Sequence, residues 1–141
     1  MLNFDPEAAF LLACDAADME SLIPKTELAI RDSILYKLPN RIGELAALER
    51  LTLVHNKIDS LPEAIGQLTM LTILNLNANE LTSLPETISQ LTMLKILKLN
   101  ANRLSSLPET IDQLAHLQEL DVRNNPLTTR PKPRCFCNVF V

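Results

Sequence analysis

The chain has 141 residues, 47% of them hydrophobic and only 4% aromatic, with no Trp, which sets up one folding unit with a core of aliphatic layers. Two glycines against nine prolines exclude a Gly-rich phosphate loop, and a formal net charge of −4 argues against a nucleic-acid footprint. That charge is uneven: residues 1–30 carry six acids and one base, Lys25, whereas Arg123 to Arg134 holds four bases and no acid. Ends of opposite sign steer partners or favour head-to-tail contact, or else are plain solvated surface.

The start, Met1-Leu-Asn-Phe-Asp-Pro-Glu, is acidic where a secretory leader would be basic. Phe10-Leu-Leu-Ala-Cys14 is too short for a membrane span. Three cysteines, Cys14, Cys135 and Cys137, make no disulfide framework and suit a reducing compartment, so a cytoplasmic location is expected. Residues 5–23 read as an amphipathic helix or helix pair. Asp5 is its N-cap, Pro6 stands at the first helical position, and Phe10, Leu11, Cys14 and Ala17 make one apolar face, stopped by Pro24. Residues 1–24 are therefore expected to form an N-terminal helical cap.

From Lys25 a 23-residue period runs without gaps, in units 25–47, 48–70, 71–93 and 94–116 and a partial unit 117–131. Leu-Pro-x-x-Ile-x-x-Leu recurs at Leu61–Leu68, Leu84–Leu91 and Leu107–Leu114, with a first copy at Leu38–Leu45. Such a period means a stacked solenoid in which each unit leans on its neighbours. In 48–56 the alternation Arg50, Leu51, Thr52, Leu53, Val54 is that of a half-buried strand, with Leu51 and Leu53 inward. Pro disfavours helix at the residue before it, and Ile65 and Leu68 then close the layer on a short helical turn.

The segments Leu71-Thr-Ile-Leu-Asn-Leu-Asn-Ala-Asn79 and Leu94-Lys-Ile-Leu-Lys-Leu-Asn-Ala-Asn102 read Leu-x-x-Leu-x-Leu-x-x-Asn. This resembles the leucine-rich-repeat family, in the 23-residue subtype carrying Leu-Pro-x-x-Ile-x-x-Leu. Ras-pathway scaffolds and suppressors, membrane-polarity scaffolds and many bacterial proteins carry that subtype. The resemblance implies an α/β leucine-rich-repeat solenoid, a short right-handed horseshoe with a parallel β-sheet on its concave face. It also gives Asn56, Asn79, Asn102 and Asn125 a structural role, bonding backbone groups of their own and the adjacent unit. Ser33 takes that place in the first unit, which should be looser.

Parallel strands in register bring residue i beside i+23 at about 4.8 Å, so the outward face can be written in columns. The first is Glu27, Arg50, Ile73, Ile96, Glu119. The second is Ala29, Thr52, Asn75, Lys98, Asp121, and the third Arg31, Val54, Asn77, Asn100, Arg123, flanked by Asp32, His55, Ala78, Ala101, Asn124. Glu27 with Arg50, Lys98 with Asp121 and Asp32 with His55 are expected to neutralise one another, at about 0–1 kcal/mol each. The candidate partner-binding residues are Arg50, Thr52, Val54, His55, Ile73, Asn75, Asn77, Ile96, Lys98, Asn100, Glu119, Asp121 and Arg123. Their centre is Ile73 and Ile96, expected to be exposed within a rim of asparagines, as binding patches are arranged. Units 71–93 and 94–116 share 16 of 23 positions, and Asn75 against Lys98 is the outward strand difference between them.

No catalytic motif is present. His55 and His116 are 61 residues apart, and Cys135-x-Cys137 has no companion pair with metal-ligand spacing. In residues 132–141 repeat phase is lost, Arg130 standing where other units have Leu. Phe136, Val139, Phe140 and Val141 are expected to fold back over the last layer; the alternatives are a disordered tail or a self-associating patch. The expected function is a non-enzymatic module binding a protein on its concave face, with no cofactor, nucleic acid or membrane span. Resemblance suggests a signalling scaffold and a small GTPase or other signalling protein as partner. The alternatives are the recognition fragment of a larger enzyme, of kinase or ubiquitin-ligase type, and a mainly structural, self-assembling repeat.

Overall fold

The computed structural model of the chain describes residues 5–131 and 138–141. Helix α1 spans Pro6–Ala13. Asp5 caps it, its Oδ1 accepting from Glu7 N–H at 3.0 Å, and Pro6 sits in the first turn, where its missing N–H leaves no bond unmade. Asp15 then takes φ 52°, a left-handed conformation through which no helix continues. The helix therefore has eight residues and does not run to residue 23. Phe10 is fully buried and Leu11 and Cys14 are half-buried as the spacing predicts, but Ala17, beyond the break, is exposed. Met19 and Leu22, in the turns that follow, are buried instead.

Six strands of three residues each, β1 (Glu27–Ala29), β2 (Arg50–Thr52), β3 (Ile73–Asn75), β4 (Ile96–Lys98), β5 (Glu119–Asp121) and β6 (Asn138–Phe140), form one parallel sheet in chain order. The sequence period becomes its register: Glu27, Arg50, Ile73, Ile96 and Glu119 are successive partners. On the opposite side of the solenoid, four 3-10 turns, Asn40–Glu44, Glu63–Gln67, Glu86–Gln90 and Glu109–Gln113, each follow a proline in extended conformation. Pro fixes φ near the value such an entry needs, and the turn then drives Ile42, Ile65, Ile88 and Ile111 into the core. The core is one continuous stack of aliphatics from Phe10 to Val122.

The asparagines form the expected ladder. Asn79 Oδ1 accepts from Ile58 N–H at 3.1 Å, and its Nδ2 donates to Leu53 O at 2.7 Å and Leu76 O at 3.1 Å. Asn102 repeats this one unit on, with Leu81, Leu76 and Leu99. At the N-terminal end the bond from Leu35 N–H to Asn56 Oδ1 stretches to 3.4 Å. The column Asp32, His55, Ala78, Ala101, Asn124 has a backbone cause that the sequence reading lacked: each takes φ between 52° and 57°, the turn that leaves the strand. Asp, His and Asn tolerate that region better than Ala does.

Strand β6 continues the sheet where repeat phase had broken. Glu119 pairs with Asn138, 19 residues on rather than 23, so no fixed period could reveal it. Val139 is half-buried against the core, whereas Phe140 and Val141 stay partly exposed. Cys135, Phe136 and Cys137 lie outside the described residues.

Candidate functional site

The outward face of the sheet carries every residue proposed from the columns. At its centre Ile73 and Ile96 are paired in register. Both are half-buried, not exposed as expected, because side chains about 4.8 Å apart along a column cover each other's flanks. The asparagines around them are already committed. Asn75 Oδ1 accepts from Asn77 N–H at 3.1 Å, Asn77 Oδ1 accepts from Asn100 N–H at 2.8 Å, and Asn124 Nδ2 donates to Asn100 Oδ1 at 3.1 Å. Thr52 and Val54 are half-buried beside them, and His55 is exposed at the adjoining turn.

The charges pair within the face, with one exchange of partners. Arg50 and Glu27 meet at 3.5 Å, as the columns predict, and the His55 ring lies 3.8 Å from the Asp32 carboxylate. Lys98 does not pair with Asp121, its register partner. Its Nζ lies 3.4 Å from Glu119, while Asp121 holds Arg123 through two contacts, Nε–Oδ1 at 2.9 Å and Nη2–Oδ2 at 2.8 Å. A two-pronged guanidinium–carboxylate pair is the stronger geometry. Phe140, registered beside Asp121, lies 5.4 Å from the Arg123 guanidinium, and Asp121 is only 4% exposed. Asp121 is thus withdrawn from the contact surface it was expected to join. Its carboxyl is held below the usual carboxylate range by the Arg123 hydrogen bond, which outweighs burial.

Exposed apolar groups also lie outside the strand columns, Ile34 and Tyr36 in the first unit among them. Met70 and Met93, three residues before Ile73 and Ile96, are exposed in the turns that lead into β3 and β4. Their 23-residue spacing was visible, but the strand alternation does not reach them. Methionine adapts its shape to a partner surface readily.

Arg41 was also missed. Its guanidinium joins Glu7 and Glu20 of the N-terminal segment, each at 2.9 Å, to Glu44 at 2.8 Å. The pairing depresses the carboxyls of Glu20 and Glu44. This cluster is structural, fastening the N-terminal segment to the first unit.

Enclosed chemistry is not assembled elsewhere among the described residues. A cleft of about 390 Å³ between Leu107–Ile111 and Thr129–Pro131 contains Glu109, Asp112 and Arg130 but no nucleophile–base pair. Among the described residues no group of three or more His, Cys, Asp or Glu is placed to hold a metal ion, and no helix is long and apolar enough to cross a membrane. Burial pushes the Cys14 thiol up to about 11, which keeps it protonated at neutral pH.

Comparison with known proteins agrees with this architecture. The leucine-rich repeat region family matches residues 11–99, and the leucine-rich repeat family matches residues 116–139. A leucine-rich-repeat protein of Leptospira interrogans is 39% identical over 73% of this chain, with a TM-score of 0.71. The leucine-rich-repeat ectodomain of an Arabidopsis thaliana receptor kinase is 33% identical over 70%, with a TM-score of 0.64. A plant ice-binding protein is 28% identical over 76%, with a TM-score of 0.68. The chain spans 26%, 56% and 36% of those three chains, respectively. No curated protein matches it in sequence. With matched repeats over more than half its length and a parallel sheet in 23-residue register, the chain belongs to the leucine-rich-repeat family, whose domains generally mediate protein–protein interaction.

Proposed function

We propose that the chain is a non-catalytic scaffold module that holds a signalling protein on the outward face of β2–β5, in a reducing, cytoplasmic setting. The observation that carries this is the registered pair Ile73–Ile96 at the middle of a face whose charges neutralise one another. An apolar centre surrounded by satisfied polar groups gains from excluding water and leaves no buried charge unpaired on docking. Met70 and Met93 expose apolar surface in the turns that precede β3 and β4. The three outward columns give β2–β5 about 12 positions, against roughly 20–30 per side in a standard interface, so the loops at His55 and Asn124 belong to the contact as well.

The test is affinity capture from the source cell with the wild type and with Ile73→Asp/Ile96→Asp, using Glu109→Lys on the far side as control. The double variant should lose a protein that both others retain, while circular dichroism shows it folded. Equal capture by a folded double variant refutes the reading. A second reading, the recognition part of a larger enzyme, is supported by the match to an ectodomain carried by a receptor kinase. Sequencing the native transcript decides it, since a catalytic domain in the same frame is required.

A further inference from the structure

Among the described residues the sheet runs from β1 to β6, and each of these two strands presents an edge of main-chain groups that no described residue meets. Hydrogen bonds alternate sideways along a parallel strand. On β1 the even-numbered residues serve β2: Ile30 N–H donates to Thr52 O at 2.8 Å, and Thr26 O accepts from Arg50 N–H at 3.1 Å. Glu27, Ala29 and Arg31 therefore turn their N–H and C=O groups away from the sheet. On β6, Asn138 N–H donates to Gln118 O at 2.9 Å and Phe140 O accepts from Val122 N–H at 2.8 Å. This turns the main chain of Val139 and Val141 outward.

The two edges fit each other in one register. With Val139 beside Leu28 of a second copy, Val139 N–H meets Glu27 O, Val139 O meets Ala29 N–H, and Val141 N–H meets Ala29 O. The same register continues the side-chain columns. Leu120 and Val139 are followed inside by Leu28, and Asp121 and Phe140 are followed outside by Ala29. Ala29 is the smallest residue of its column and leaves room for the Phe140 ring, which is 42% exposed, while Val141 is 53% exposed. The sequence segments that lead into the two edges are also opposite in charge, six acids to one base over residues 1–30 and four bases to no acid from Arg123 to Arg134, with Glu7, Glu20, Glu27 and Arg123 paired inside the chain. Long-range attraction would orient approaching chains head to tail.

We infer that this chain associates with copies of itself head to tail, β6 of one pairing in parallel with β1 of the next. The contact uses two different surfaces, so it does not close on itself as a two-fold dimer does. It is independent of the partner face proposed above, which lies on the side chains of β2–β5.

The test measures the mass of the intact chain by sedimentation and light scattering, from micromolar to near-millimolar concentration. Wild type should grow past two chain masses of 15.8 kDa and fall back in high salt. Ala29→Pro removes an outward N–H from β1 without removing a bond to β2, and Val139→Pro does the same to β6; an edge strand tolerates such a proline. Each variant alone should stay monomeric with an unchanged circular dichroism spectrum. Mixed in equal amounts they should form a two-chain complex and stop there, one intact β6 edge meeting one intact β1 edge. A wild type that is monomeric at every concentration overturns the inference. So does folded Ala29→Pro that associates like wild type, or a mixture of folded variants that remains monomeric.

Discussion

Replacing Asn79 by Ala tests whether the asparagine ladder holds adjacent units together. The substitution removes the acceptor of Ile58 N–H and the donor to Leu53 O and Leu76 O, all in buried surroundings. Asn79 is 7% exposed, and the Ala methyl fills too little of the space to replace any of these bonds. At about 1–3 kcal/mol for a buried group left unpaired, and with the carbonyls able to keep part of their bonding, the loss should come to about 2–4 kcal/mol. Asn125→Ala is the internal comparison. It breaks the equivalent bonds to Leu104 N–H, Leu99 O and Val122 O, but Asn125 is only half-buried, in the last unit, so water can take up the freed groups and the loss should stay near 1 kcal/mol. Urea unfolding of the three proteins measures this directly: the midpoint should fall most for Asn79→Ala at unchanged slope. Equal losses at the two positions would refute the reasoning, because burial and not bond count is what separates them.

Gly66→Ala should destabilise by about 1–3 kcal/mol, since a Cβ there would lie 2.6 Å from the Thr87 carbonyl oxygen; thermal unfolding reads it. Gly43→Ala should cost less, because the atoms nearest its Cβ belong to the flexible end of Gln67. Ala78→Asn should stabilise by about 0.5–1 kcal/mol, as Asn accepts the left-handed φ of 55° better than Ala; an unchanged or lowered midpoint counts against it. In acid, the depressed carboxyls of Glu20, Glu44 and Asp121 make stability present above their unfolded pKa, near 4, and lost as pH falls through the lower folded values. Arg41→Ala should be less stable at pH 7, decline less steeply below about pH 4, and converge with wild type there. Parallel pH profiles would show that Arg41 does not hold Glu20 and Glu44.

The solenoid was legible because its period is converted directly into register. Once residue i pairs with i+23, leucines, prolines and asparagines fall into rows, and each row has one environment. Failures occurred where residues leave that mapping. Asp15 breaks α1 through its own backbone conformation, which moves burial from Ala17 to Met19 and Leu22. Arg41 gathers carboxylates 34, 21 and 3 residues away, and the two more distant ones, Glu7 and Glu20, stand in the N-terminal segment outside the repeats. Strand β6 joins at an offset of 19. Lys98 turns from Asp121 to Glu119 because β6 lies beside Asp121 and Arg123 has already claimed it.

That last exchange bears on function. An open column of alternating charges would present Lys98 and Asp121 to a charged partner, and recognition would then be strongly salt-dependent. With Asp121 only 4% exposed beside Phe140 and Lys98 tied to Glu119, the middle of the outward face offers mainly isoleucine and amide groups, flanked by the paired Arg50 and Arg123. Its selectivity must therefore come from shape and from apolar contact more than from field. Asn75→Lys, which makes β3 resemble β4 at the outward position where the two most similar units differ, places a cation in the middle of that face with Glu119 already occupied by Lys98. If apolar contact drives recognition, the variant should weaken binding about tenfold, near 1.4 kcal/mol, with little dependence on salt for the wild type. Stronger binding by Asn75→Lys, or a steep salt dependence of the wild type, would mean that unpaired charge on this face, and not the Ile73–Ile96 centre, selects the partner.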